Sequence, residues 1–450
     1  MDGAELVAAV GSGDAEAVTR LLEAGADPDT LADDGLPVLC RAIAAYDEEV
    51  ADALVEGGAD PDRKLPDGTT PLVRAVDGGS PSVVTAVLGR DPLVRLSESG
   101  RRELLARARR WYERGAEAGL RDRTGASGPV HRARVMDDEY RHVTQLTQDG
   151  STVRAGHGAI LTNLEWAFRV LTPVDELAAR ALAPGDPDHV DWSSVTWVLC
   201  QRRSKETWSA MAAYRHSSAP LARRFALDAL WTYAWCPWLS RRNSYEKEMA
   251  DLLVSWATDG DEDPEVLAEV LRLLDEADRP ESVALGLRYA GHRDPRVRAK
   301  VPDLLIVWED PSPIPGAEAR AALLALAADE DWHVRAAAGG ALCAARDGGP
   351  EVTDAVVALL RDPAAEVRAW MSETVTRCED RSTAVADALF ALLDEEDPSV
   401  RLNAAYALLR RKDPRTAEAV ERVGPLSHFG PGPDHRLSTI WDWERNHDQP

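Results

Sequence analysis

A block of sequence returns every 33 residues at the start of this chain. Gly25-Ala26-Asp27-Pro28-Asp29 comes back as Gly58-Ala59-Asp60-Pro61-Asp62, and Asp34-Gly35 as Asp67-Gly68. A different repeat fills the far end, where Val297-Arg298, Val334-Arg335, Val367-Arg368 and Val400-Arg401 recur at intervals of 37, 33 and 33. Periods of this size constrain the fold strongly. One unit cannot bury its own apolar face, so units must stack into a solenoid whose core grows lengthwise.

Within the first block, Asp67-Gly68-Thr69-Thr70-Pro71-Leu72 is followed by Ala75, Gly79, Val83, Val84, Val87 and Leu88. A hydroxyl before a proline starts a helix, Gly79 supplies a turn, and the later apolar residues form one stripe at helical spacing. The preceding unit matches at Ala42, Val50, Leu54 and Val55, and the first at Ala9, Gly13, Val18, Leu21 and Leu22. In the Gly-Ala-Asp-Pro-Asp linkers glycine permits a left-handed turn and proline stops the helix.

Residues 1–95 resemble the ankyrin repeat in three copies. They depart from it at Val73, where the family's Thr-Pro-Leu box ends in His, and at Gly89-Arg90-Asp91-Pro92, which lacks the linker. The resemblance implies protein binding through hairpin tips and inner helices, which points to Asp33, Asp34, Lys64 and Asp67 as contact residues. The competing expectation is that the three repeats only cap the longer solenoid behind them.

Residues 96–189 form a connecting region. Between 101 and 134 ten arginines face four acidic residues. Arg101, Arg102, Arg107, Arg109 and Arg110 share a predicted helix with Leu104, Leu105 and Trp111. Such a run either binds an anion or pairs with acidic neighbours in the same chain, and the overall acidity favours the second. Alternation through His142-Val143-Thr144-Gln145-Leu146, the Asp149-Gly150 turn and Thr152-Val153 predict a small hairpin. Trp192, Trp197, Trp208, Trp231, Tyr233, Trp235 and Trp238 stand at helical spacing among Leu and Ala and are expected in the core.

From residue 190 to 425, most clearly from 261, helix pairs are joined by acidic turns: Asp294-Pro295, Asp331-Trp332 and Asp397-Pro398 each precede a Val-Arg. Asp is a good helix cap and Pro fits the first turn. This stretch is similar to HEAT repeats of the short type also seen in phycobilin lyases. The resemblance implies an Asp–Arg ladder between units. Asp294 with Arg298, Asp331 with Arg335, and Asp397 with Arg401 have the i, i+4 spacing at which side chains approach on a helix. Binding is sought where units differ: Lys300, Ala337, Trp370 and Asn403, then Asp303, Gly340, Glu373 and Tyr406. Trp370 and Tyr406 are the expected anchors. Residues 426–450 form an irregular tail, whose Trp441 and Trp443 are expected to fold over the last repeat.

The fold class is therefore an all-α solenoid: three ankyrin-like helix pairs, an irregular helical middle and a HEAT-type superhelix. A net charge of −25 disfavours nucleic acid and anionic membranes as partners and favours a protein with a basic patch or peptide. No run approaches a membrane span, and Met1–Glu5 does not open a signal peptide, which makes the cytoplasm the expected location. The excess of Arg over Lys and the abundant Ala fit a GC-rich bacterial genome. Five dispersed cysteines without a C-x-x-C imply neither a disulfide framework nor a zinc site. No glycine-rich phosphate loop, H-E-x-x-H or nucleophile motif occurs, so no catalytic residue, cofactor or metal is expected. The function expected is a non-catalytic interaction scaffold. The alternative is a HEAT-like enzyme or nucleic-acid binder, resembling alkyl-base glycosylases or bilin lyases.

Overall fold

The computed structural model describes residues 3–235, 245–307, 314–345, 349–424 and 434–447. The chain divides into two compact units, Met1–Asn243 and Ser244–Pro450. Trp238 lies outside the described residues.

In the first unit, short polar side chains begin the helices. Asp14 accepts from the Ala17 amide at 2.8 Å, Asp47 from Val50 at 3.0 Å and Thr70 from Val73 at 3.2 Å. They open the second helices of pairs one and two and the first helix of pair three. The three pairs are Gly3–Ser12 with Ala15–Glu23, Val38–Ala45 with Glu48–Glu56, and Pro71–Gly78 with Pro81–Leu88. Their linkers are knitted together, because Asp29 of one copy accepts the Asp60 amide of the next at 3.1 Å. The core they enclose runs on from Leu6 through Leu54 and Val87 to Leu104, Ile160, Leu164 and Phe168. Those last residues come from helices Glu98–Arg114 and His157–Ala167 and the residue that caps the second.

Between these helices stands an antiparallel sheet in the order β1 (His131–Met136), β2 (His142–Gln148), β3 (Ser151–Arg154). The expected hairpin is β2–β3, with Gln148 opposite Ser151 across Asp149 and Gly150, both at positive φ. Strand β1 was not anticipated. It is an edge strand, and its alternation is confined to Ala133 and Val135, half-buried between exposed arginines, too short a pattern to stand out in an arginine-rich segment.

A buried polar node fastens the sheet to the third helix pair. Asp137 accepts from Ser80 Oγ at 2.6 Å, from the Ser82 amide at 3.0 Å and from Arg154 at 3.0 Å. The Arg154 guanidinium lies 4.3 Å from the Tyr46 ring centre. Gly79, at φ +79°, is required here: a Cβ would stand 1.8 Å from the Arg154 carbonyl oxygen. Of the aromatic cluster, Trp192 and Tyr233 are buried as expected, whereas Trp197 is exposed.

In the second unit acidic caps open four of the repeat helices, while helix Ala365–Thr374 begins at Ala364 without a side-chain cap. Asp263, Asp294, Asp331 and Asp397 accept amides of the first turn of helices Pro264–Glu276, Pro295–Arg298, Trp332–Ala344 and Pro398–Arg410. Their stripes bury Leu271, Val301, Leu323, Val356, Leu389 and Ala405. Among the described residues the chain is helical apart from the small sheet and short isolated bridges, an α-solenoid of repeats. Among the described residues no helix is long and apolar enough to cross a membrane.

Candidate partner-binding surfaces

The four tip residues of the ankyrin hairpins are all exposed, but they do different work. Asp34 accepts the Leu36 amide at 3.0 Å, closing its own turn. Asp67 accepts from the amide and hydroxyl of Thr69 and from Arg74 at 2.9 Å. Those bonds, Thr69 first, hold its carboxyl down at about 2. Asp33 has only a 3.6 Å approach from Arg41, and its side chain is almost wholly in solvent. Lys64 makes no ion pair among the described residues. Asp33 and Lys64 are thus little engaged by their own chain, while Asp34 and Asp67 shape the hairpins that carry them.

The arginines of the second unit do form a ladder, with partners other than those read from the i, i+4 spacing. Arg298 clasps Asp329 of the next unit at 2.7 and 2.8 Å, and Arg335 clasps Asp362 at 2.7 and 2.8 Å. Arg368 clasps Glu395 at 2.7 and 3.1 Å. Arg401, the last, reaches the Val423 carbonyl at 3.3 Å. The remaining nitrogen of each turns back to two carbonyls of the preceding loop, as Arg335 does to Asp329 and Glu330 at 2.9 and 3.0 Å. Asp294, Asp331 and Asp397 are occupied as helix caps, accepting from Arg296, His333 and Ser399. A carboxylate folded over the first amides of its helix cannot also lie along the face toward the fourth residue. The sequence did carry the right signal: an acid stands five residues before Val334, Val367 and Val400, at 329, 362 and 395.

Of the two expected anchors, Trp370 is 48% exposed, beside Gly340, where a Cβ would still lie 3.5 Å from the indole nitrogen. Tyr406 is covered instead. It is 8% exposed and meets His435 edge-to-face at 5.6 Å, under helix His435–His447. That helix is seated by Leu437 and Ile440, both buried, and by Arg436, which donates to Asn403 at 2.5 Å. The tail does close the last repeat, through Leu437 and Ile440; Trp441 points outward at 47% exposure.

The arginine-rich segment is largely spent on its own chain. Arg107 forms a two-point bond to Asp77 at 2.5 and 2.6 Å, Arg109 pairs with Glu165 at 2.6 Å, and Arg121 with Glu117 at 3.0 Å. Arg114 pairs with Asp122 and Arg132 with Glu117, while Arg101 and Arg123 donate to carbonyls. Beside these pairs opens a cavity of about 410 Å³ that the sequence did not disclose, lined in part by Trp111, Arg134, His142, His157, His189 and Asp191. Trp111 and His157 stack at 4.8 Å. Burial drives both His157 and His189 down to about 4, so both rings are neutral. Burial likewise raises Asp191 to about 7, outweighing the Ala159 amide and Arg180. Among the described residues no group of His, Cys, Asp or Glu is placed to hold a metal ion. Residues from several separate elements converge here, which is why no local motif marks the place.

Comparison with known families agrees with this architecture. The ankyrin-repeat family model matches residues 6–95 in three copies, and the HEAT-repeat model matches residues 353–423. The chain joins ankyrin repeats to HEAT repeats in a scaffold suited to protein binding. No curated protein matches the chain. Among solved structures it is similar to YibA of Escherichia coli, at 17% identity and TM-score 0.42, over 58% of this chain and 95% of that one. A second similarity is to the structure of Kap95p with RanGDP, at 13% identity and TM-score 0.39, over 92% of this chain and 48% of that one. A third is to an engineered protein at 17% identity and TM-score 0.36, over 92% of this chain and all of that one.

Proposed function

We propose that this protein is a non-catalytic interaction scaffold that holds a partner protein bearing a basic segment. The contacts are Asp33 and Lys64 on the ankyrin tips and Trp370 on the HEAT repeats. The observation that carries the reading is a division of labour. Residues that recur from unit to unit are consumed by turns and rungs, while Trp370, which does not recur, stands half in solvent on a helix fastened by Arg368 to Glu395. A large aromatic on a rigid support loses little entropy on binding and is the usual kind of interface anchor. The net charge of −25 favours a basic partner and speeds its approach at low salt. The arginines that a nucleic-acid reading needs are bonded to the chain's own carboxylates and carbonyls, so that reading is set aside.

The test is capture from native extract at low and high salt with three full-length proteins: the natural sequence, Asp33→Lys with Lys64→Glu, and Trp370→Ala. A discrete protein retained by the first and weakened about tenfold or more by either variant supports the reading, tenfold being the loss of about 1.4 kcal/mol. Retention that ignores both variants, or retention of nucleic acid alone, overturns it.

A further inference from the structure

The cavity beside the arginine pairs holds a carboxylate that no neighbouring cation neutralises. Asp191, in the first turn of helix Val190–Arg202, lines that cavity with a side chain only 6% exposed. Its Oδ1 accepts the Ala159 amide, in the first turn of helix His157–Ala167, at 2.7 Å. Gly158 makes room for the carboxyl, since a Cβ there would stand 2.4 Å from Oδ2. Among the described residues Oδ2 receives no hydrogen bond, and no lysine or arginine forms an ion pair with it. His189 Nδ1 stands 3.8 Å from Oδ2, but it accepts the Asp191 amide at 3.2 Å and so carries a lone pair rather than a proton. The same cavity is lined by a second bare acceptor. His157 gives its Nε2 proton to the Val76 carbonyl at 3.0 Å, which leaves Nδ1 a lone pair, buried without a donor.

The exposed Arg134 also lines the cavity, but its charge is already engaged. It donates to His142 Nδ1 at 2.9 Å and lies 3.6 and 3.8 Å from Asp186 and Asp188. His142 in turn gives its Nε2 proton to Asp186 at 3.1 Å. An anion entering here meets Asp191. A neutral alcohol could bond Oδ2, yet it would leave the ionised carboxylate buried and unpaired, which is costly. A primary ammonium brings N–H donors and the opposite charge together, and about 410 Å³ is the size of a small-ligand pocket. We infer that this cavity is a binding site for a primary alkylammonium group, carried by a free amine or by a lysine side chain, with the Asp191 carboxylate as its counter-ion. The site is independent of the contacts at Asp33, Lys64 and Trp370.

The electrostatics make such binding depend on pH. Burial raises Asp191 to about 7 against the Ala159 amide and the Arg180 charge. The groups around it keep their charge states near neutrality. Burial holds His157 and His189 neutral, at about 4, and raises Tyr112. Despite burial, Glu165 holds Arg180 up, and the Asp188 amide and His142 hold Asp186 down. An ammonium favours the ionised carboxyl and so expels its proton. Affinity is therefore full above pH 7 and falls about tenfold for each unit of pH below it.

The experiment is calorimetric titration of the full-length protein at pH 8 with n-butylammonium, n-butanol and butyrate, and with a short peptide carrying one lysine or one acetyl-lysine. Saturable binding of n-butylammonium or of the lysine peptide is expected, with the alcohol, the acid and the acetyl-lysine peptide at least about tenfold weaker. Tighter binding of the peptide identifies a lysine side chain as the source of the ammonium, and tighter binding of n-butylammonium a free amine. Asp191→Asn keeps an oxygen for the Ala159 amide and should lose about tenfold or more in affinity. A second reading needs no variant: at pH 6, titration of the natural protein in two buffers of different ionisation enthalpy should show about one proton released per ammonium bound. No saturable binding of either ammonium at millimolar concentration would overturn the inference. So would affinity that Asp191→Asn leaves unchanged, or binding without proton release at pH 6.

Discussion

At the scale of single residues, Asp191 tests whether the histidine-lined cavity is a true low-dielectric site. Its carboxyl has an ordinary value near 3.8 in the unfolded chain and sits at about 7 in the fold, with burial as the main cause. An acid raised in this way favours the fold while protonated and opposes it once ionised. The penalty is absent below about pH 3.8 and complete above pH 7, and is worth about 4 kcal/mol at most. His157 and His189 work the other way. Held neutral by burial, they contribute stability that is present above pH 6.5 and lost as pH falls toward 4. Asp191→Asn keeps an oxygen for the Ala159 amide, 2.7 Å away, and removes only the ionisation. The variant's melting temperature should gain on the natural protein as pH rises from 4 to 8. A difference that stays constant over that range would mean the carboxyl does not titrate there.

At the scale of elements, the repeat pattern makes helix starts and apolar stripes easy to read, and the ladder harder. Helix caps and stripes are set by residues a few positions apart, so spacing reveals them. Rungs join residues 27 to 31 apart, and only the alignment of one unit on the next shows that Asp329, Asp362 and Glu395 share a position. Tyr406 escapes a reading of its repeat for a related reason. Nothing within that repeat reveals that a helix 29 residues on will cover it, as the His435 ring does. Trp370, by contrast, is left half exposed.

The ladder has a direct test. Arg335→Ala removes the two-point clasp on Asp362, whose side chain is only 5% exposed, and leaves it the Ala364 amide as its hydrogen-bond donor among the described residues. That should cost about 3 to 5 kcal/mol, the usual penalty for stranding a buried charge. Asp331→Ala removes only a helix cap and should cost about 1 kcal/mol. Denaturant titration of the two variants separates these values. If Asp331→Ala proves as costly as Arg335→Ala, the i, i+4 pairing is the important one and the inter-unit rung is not.

At the scale of the whole molecule, the ankyrin pairs do not end their own core. Leu104, Ile160, Leu164 and Phe168 belong to the same buried cluster as Leu6 and Leu54, and Asp137 is bonded to Ser80 and Ser82. A chain lacking residues 1–95 therefore exposes that face and loses the serine bonds of the polar node. It should aggregate on expression, or bind a hydrophobic dye strongly, whereas a soluble, cooperatively melting fragment would show that the repeats are separable. For this reason partner mapping belongs on the full chain.

The most direct measurement is hydrogen exchange of the full-length protein, alone and with the partner captured from extract. The account predicts slowed exchange around residues 30–37 and 63–69 and in helix Ala365–Thr374, weakening as salt is raised. Exchange unchanged at the hairpin tips and at Trp370, with protection confined to other surfaces, would contradict it.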